Sequence, residues 1–279
     1  IFLPNGSVFY GWWIVAIAFF VMYLGSLFWI QSYGAYAVVF NREFGWSMTL
    51  LAAAYTLTRV ESGLLGPVQG WMADRYGPRL IISIGLLMHG IGLLCLTLVE
   101  TLPVYYLAVI IISVGISLGG YHTLMVSIVN WFQRHRTKAI ALTQLGHSLG
   151  GLSVPILAYG LEQFGWRTIA AASGFAAIFL GIPLVQHIRH RPEEKGEVVD
   201  GKITSEHSNN RGEINNEIVS ASWQNALRTR AFWLISAGHA IALLSVSTVL
   251  VHLIPHLTNT LGMGLTKAGM VFSTVSISQ

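Results

Sequence analysis

The chain has 279 residues, 53% hydrophobic and 10% charged, against roughly 25% charged in an ordinary soluble chain. Its net charge of +4, from 16 basic and 12 acidic residues, is too thin for a nucleic-acid footprint, and the single Cys95 cannot form an intrachain disulfide. With a mean hydropathy of +0.60, these figures exclude an ordinary cytosolic protein and point to the lipid bilayer.

A bilayer core about 30 Å thick needs about 20 apolar residues per helix, so the intervals between charges mark the candidate spans. No residue in 1–41 is charged, which places a first helix there. Residues 44–73 match it in length and apolarity but carry Arg59 and Glu61, and they form the expected second helix. Uncharged runs over 80–99, 101–133, 139–161 and 168–188 supply helices three to six, and 231–266 supplies the seventh. Residues 268–279 begin an eighth, too short to cross. Further C-terminal helices are therefore expected beyond this chain, along with a few N-terminal residues, since it starts on Ile. A cleaved signal peptide is not expected, because the first apolar run exceeds the roughly 7 to 15 residues of a signal core and lacks a basic flank.

Between the sixth and seventh spans, residues 187–230 mix 7 acidic and 7 basic residues with Gly, Ser and Asn, the composition of a flexible polar linker. The expected organisation is a six-helix bundle over 1–187, a linker over 188–230 and the start of a second bundle over 231–279. Loops after helices two, four and six hold 12 basic residues, including Arg75, Arg79, Arg134, Arg136 and Lys138; the opposite loops hold Arg42, Arg167 and Lys267. The positive-inside rule then puts the N-terminus, the linker and these basic loops in the cytoplasm, in a multi-pass protein of the plasma (inner) membrane. Asn5-Gly6-Ser7, formally a glycosylation acceptor, falls on the wrong side for that modification.

The loop between helices two and three reads Gly70-Trp71-Met72-Ala73-Asp74-Arg75-Tyr76-Gly77-Pro78-Arg79. It resembles the G-x-x-x-D-R-x-G-x-R signature of the major facilitator superfamily, whose members have two six-helix halves. Gly70 would allow close helix contact and Gly77 a tight reversal, while Arg75 and Arg79 stay at the headgroups. The resemblance implies an all-α transmembrane helical bundle and a gating role for Gly70, Asp74, Arg75, Gly77 and Arg79. Tyr10-Gly11-Trp12-Trp13 and the Trp131 to Arg136 stretch followed by Ala139 and Gly146 are similar to the monocarboxylate carrier and oxalate-formate antiporter branch. That similarity implies a small organic anion as solute, with protons or a counter-transported anion left open as co-substrates. The lysine that monocarboxylate carriers place in helix one is absent; Gln31 and Tyr33 could supply polar and aromatic groups there instead.

Ionisable residues within a span are functional candidates, because a charge near mid-membrane costs roughly 2.5 to 3.5 kcal/mol on insertion scales. Arg59 and Glu61, two positions apart, point to different helix faces and cannot neutralise one another. Arg59 shares a stripe with Gly63, Gly66 and Gly70, directed at another helix or at a cavity, and its planar fork suits a carboxylate. Glu61 is read as a structural partner or a proton acceptor, structure being preferred. His89, His122, His147, His239, His252 and His256 also fall in apolar spans. Of these, His122 beside Tyr121 and His147 near Gln144 are the candidate substrate contacts. No cofactor is implied, and no His, Cys or carboxylate cluster has metal-ligand spacing.

Gly146-His147-Ser148-Leu149-Gly150 matches the G-x-S-x-G nucleophile elbow. That elbow requires a strand-to-helix turn, whereas here Gly146 and Gly150 form a helix-packing face. The expected function is secondary transport by alternating access, not enzymatic. The alternatives are a transport-inactive membrane sensor, a transporter of a neutral or drug-like solute, and a channel. A polypeptide limited to these 279 residues is not expected to transport.

Overall fold

The computed structural model describes residues 9–201 and 227–277. Eight helices carry it: α1 (Gly11–Phe44), α2 (Met48–Tyr76), α3 (Pro78–Leu96), α4 (Leu102–Trp131), α5 (Arg136–Phe164), α6 (Trp166–Val185), α7 (Arg230–Thr260) and α8 (Leu265–Ile277). All but α2 and α8 are long and apolar enough to cross a membrane on composition alone. The 29 residues of α2 include Arg59 and Glu61, which lower its apolarity. No strand occurs among the described residues.

Local chemistry sets the ends and bends. The Ser47 hydroxyl accepts from Leu50 N at 3.3 Å and caps α2. At the other end of α2, Gly77 takes φ 81°, a conformation costly for any side chain, and Pro78 follows as the first residue of α3. A π-turn over Ser26–Ile30 and a break at Gln31 and Ser32 divide α1. The Ser32 hydroxyl returns to Leu27 O at 2.5 Å and satisfies a backbone group freed by that break.

Glycine makes the close crossings. A Cβ on Gly115 of α4 would lie 2.7 Å from Gly85 O and 2.7 Å from His89 Cα of α3. Gly146 of α5 packs on Phe19 O of α1, and one turn later Gly150 packs on the Ser26 side chain. The G-x-S-x-G match is thus a helix-packing face on α5. The stripe of Gly63, Gly66 and Gly70 behaves differently: no atom lies within 4 Å of where their Cβ atoms would be. It is not a packing face among the described residues, and the exposed Leu64 and Trp71 on the same helix agree.

The bundle has two distinct ends. One carries the Gly77 turn, the α4–α5 loop and the segment after α6, linked by Arg79 Nε to Gln186 Oε1 at 2.8 Å and by Arg134 N to Asp200 at 2.7 Å. The other carries Glu43, whose carboxylate pairs with Arg167 at 2.7 Å and accepts from Trp166 Nε1. The helices after the linker meet the first six at this second end. A Cβ on Gly34 of α1 would sit 3.0 Å from Leu250 O of α7, and Glu162 of α5 accepts from Leu265 N at 2.7 Å at the start of α8. Toward the first end, α7 is exposed from Arg230 to Val246, with Ser236 partly covered.

Residues 188–201 are tied to the bundle: Trp131 Nε1 donates to Arg189 O at 2.9 Å, and Tyr10 N donates to Glu197 at 3.0 Å. Asp200 accepts from the amides of Gln133, Arg134 and His135. Average polarity could not reveal that these carboxylates find unpaired amides at helix ends. Residues 202–226, and the Asn5 acceptor, lie outside the described residues.

Candidate functional site

A cavity of about 860 Å³ lies among α1, α2, α4, α5 and α7, with Leu86 and His89 of α3 at its side. Small-molecule sites span roughly 300 to 1,000 Å³. Among the described residues, Arg59 is the one Lys, Arg, Asp or Glu side chain that lines it.

Arg59 is held by a stack of aromatic rings. Its Nη2 donates to Tyr55 Oη at 2.5 Å, and its guanidinium carbon is 5.0 Å from the Tyr55 ring centroid. The buried Tyr55 ring lies 4.7 Å from the Tyr33 ring. Tyr33 donates to Leu51 O at 2.5 Å and pairs with Tyr105 Oη at 2.8 Å. The fork is therefore pre-oriented on its own helix, with N–H groups beyond the Tyr55 bond available to a planar anion.

Of the residues expected to touch substrate, Arg59, Tyr121, His122, Gln144 and His147 all line this cavity. Tyr121 and His122 open the second part of α4, after Gly120, with their rings 5.7 Å apart. Gln144 and His147 lie one turn apart on α5. The His147 carbonyl accepts from Ser26 Oγ at 2.7 Å, and His147 Nε2 is 3.2 Å from Gln31 Nε2. Gln31 and Tyr33 are fully buried and do not line the cavity. The break in α1 turns both into the protein, where Gln31 backs His147 and Tyr33 backs Tyr55.

The opposing wall was not singled out from sequence. His239, Ser247, Thr248 and His252 of α7 line the cavity. At about 100° per residue these positions spread over more than half of the helix circumference, so no one-sided pattern marked them in the sequence.

Among the gating candidates, Asp74 and Arg75 are exposed, and Arg75 rests 5.4 Å from the Trp71 ring and 5.7 Å from the Tyr76 ring. Arg79 bonds Gln186 at the end of α6, while Gln186 Nε2 reaches Ser83 Oγ at 3.2 Å. Among the described residues, none of the motif side chains has a hydrogen bond to α7 or α8.

Helices long enough to cross a bilayer, joined by tight turns around a central cavity that one cation lines among the described residues, define a multi-pass membrane protein. The chain belongs to the Major Facilitator Superfamily, whose family model matches residues 7–278. It is 28% identical over 189 residues to a fujikurins efflux protein of Gibberella fujikuroi, covering 66% of this chain and 40% of that protein. It is 25% identical over 207 residues to an oxalate:formate antiporter of Oxalobacter formigenes, covering 73% of this chain and 46% of that protein. The chain thus spans less than half the length of these relatives. Its fold matches a bacterial homologue of the human lysosomal transporter Spinster, solved inward-facing and unoccupied, with a TM-score of 0.74 at 17% identity over 97% of this chain and 60% of that one.

Proposed function

We propose that the full-length protein is a secondary transporter that carries a small organic anion, a mono- or dicarboxylate, by alternating access. The observation behind this reading is Arg59, the one cation among the described residues that lines an otherwise apolar and hydroxyl- or imidazole-bearing cavity. A carboxylate docked on its fork would form paired charge-assisted hydrogen bonds, with Gln144, His147 and the α7 histidines within the same walls. The similarity to an oxalate:formate antiporter supports the same class. In this reading the end bearing Asp74 and Arg75 faces the cytoplasm, the basic loops gathered there supplying the positive-inside bias. The halves meet at the outer end and part toward the inner one, which is an inward-facing state. Asp74, Arg75 and Arg79 then bias the closed state when the two halves approach.

A neutral or drug-like solute is the second reading, favoured by the apolar character of most of the lining and by the efflux relative. The test is uptake of labelled oxalate, formate, lactate and pyruvate into proteoliposomes holding the full-length protein. Saturable uptake of at least one, inhibited by the others, is expected. Uptake of none, with binding of an uncharged apolar solute, would favour the second reading; uptake that never saturates would indicate a channel.

A further inference from the structure

Glu61 stands apart from the anion site. It lies next to Ser62, the centre of the 29-residue α2, and is partly buried, in a helix where an uncompensated carboxylate is costly. Its Oε2 accepts both from Ser113 Oγ and, at 3.2 Å, from Ser117 Oγ, two hydroxyls one turn apart on α4. Its Oε1 is buried with no hydrogen-bond partner among the described residues. No cation compensates it: the one ion pair among the described residues is Glu43 with Arg167.

Among the described residues, no other ionisable group on α2 or on the helices packed against it bonds Glu61. Arg59 bonds Tyr55, Tyr33 pairs with Tyr105, and Tyr106 donates to Leu50 O at 2.7 Å. His89 of α3 and His122 of α4 line the cavity and form no bond to Glu61. A purely structural acceptor for two serine hydroxyls would not need a charge, since an amide oxygen serves equally. Ser117 lines the cavity while it donates to Glu61, so a hydroxyl connects the carboxylate to cavity water.

We propose that Glu61 is a proton-binding site that couples one proton to each anion carried. Ser117 Oγ takes a proton from cavity water as its own hydroxyl proton passes to Oε2, and rotation of the carboxyl group then carries that proton to the unpartnered side while the serine hydroxyls again donate to the other oxygen. Protonation leaves Arg59 as the one net charge at the centre of α2 and strengthens anion binding; proton loss restores a zwitterionic helix centre and favours release. By linkage, a bound anion raises proton occupancy by the same factor. This coupling rests on the anion reading of Arg59, but proton binding at Glu61 does not.

Two measurements on the full-length protein separate the two. Infrared difference spectra between about pH 5 and about pH 8, without any solute, bracket the protonation range of perturbed carboxyl groups. A protonated-carboxyl band is expected that is absent in Glu61→Gln and shifted in Glu61→Asp. In proteoliposomes with an inward proton gradient and labelled oxalate outside, Glu61→Gln is expected to lose accumulation by about tenfold or more, a coupling of about 1.4 kcal/mol, and Glu61→Asp to retain it. No titrating band assignable to Glu61, or gradient-driven accumulation preserved in Glu61→Gln, overturns the proposal. So does accumulation driven by a sodium gradient alone. If oxalate is not carried but the band is present and lost in Glu61→Gln, the anion reading has failed and the proton site stands.

Discussion

Replacing Gly115 with alanine tests the α3–α4 crossing that holds one wall of the cavity. The new methyl would lie 2.7 Å from Gly85 O and from His89 Cα, and closer still to His89 N. These are backbone atoms or atoms fixed to the backbone, so no side chain can swing aside. Clearing the 2.7 Å contacts to an ordinary 3.4 Å requires the helices to part by about 0.7 Å, and clearing the closer His89 N requires more. Overpacking of this kind costs about 1 to 3 kcal/mol, or a melting temperature lower by about 3 to 10 °C for a bundle of this size. The assay is thermal unfolding of the purified protein in detergent, followed by circular dichroism. Gly25→Ala is the matched control, because nothing lies within 4 Å of its added methyl, and it should melt with the wild type. If Gly115→Ala also melts with the wild type, the reasoning that backbone contact sets this crossing is refuted.

Three further outcomes follow from single contacts. Tyr33→Phe removes the hydroxyl that joins Leu51 O and Tyr105 and should lower stability by about 1 to 3 kcal/mol, the usual cost of a buried unpaired polar group, measured by the same melts. Asp200→Ala frees the amides of Gln133, Arg134 and His135; hydrogen exchange in 132–135 should accelerate by about tenfold, the loss of one good cap. Ser148 sits inside a helix rather than at a strand-to-helix turn, so a serine-directed fluorophosphonate should leave it unlabelled, and labelling abolished by Ser148→Ala would reopen hydrolase chemistry.

Much of the architecture was legible in the sequence because lipid imposes one rule, about 20 apolar residues per crossing, and the charges of this chain obey it. Arg59 was legible for the same reason: a charge inside such a span stands out. Tyr33 was misplaced because its role depends on the α1 break at Gln31 and Ser32, which rotates the following residues inward. Tyr33 reaches the site one layer back, through Tyr55. His239 and His252 were visible as intramembrane histidines but could not be assigned to the cavity wall, since only the packing of Gly34 against Leu250 fixes the rotation of α7. Residues 188–201 were hidden by their composition, because two carboxylates finding free amides leaves no mark on average polarity. The glycines of α2 looked like those of α5, yet Gly146 and Gly150 pack on a neighbour and Gly63, Gly66 and Gly70 do not.

Equilibrium binding of labelled oxalate to the full-length protein in detergent, with and without Arg59→Gln, addresses the anion site most directly. A charge-assisted hydrogen bond contributes about 1.5 to 3 kcal/mol, so the variant should bind about 10- to 100-fold more weakly, with Arg59→Lys between the two. Equal affinity in wild type and Arg59→Gln would contradict an anion held by this guanidinium.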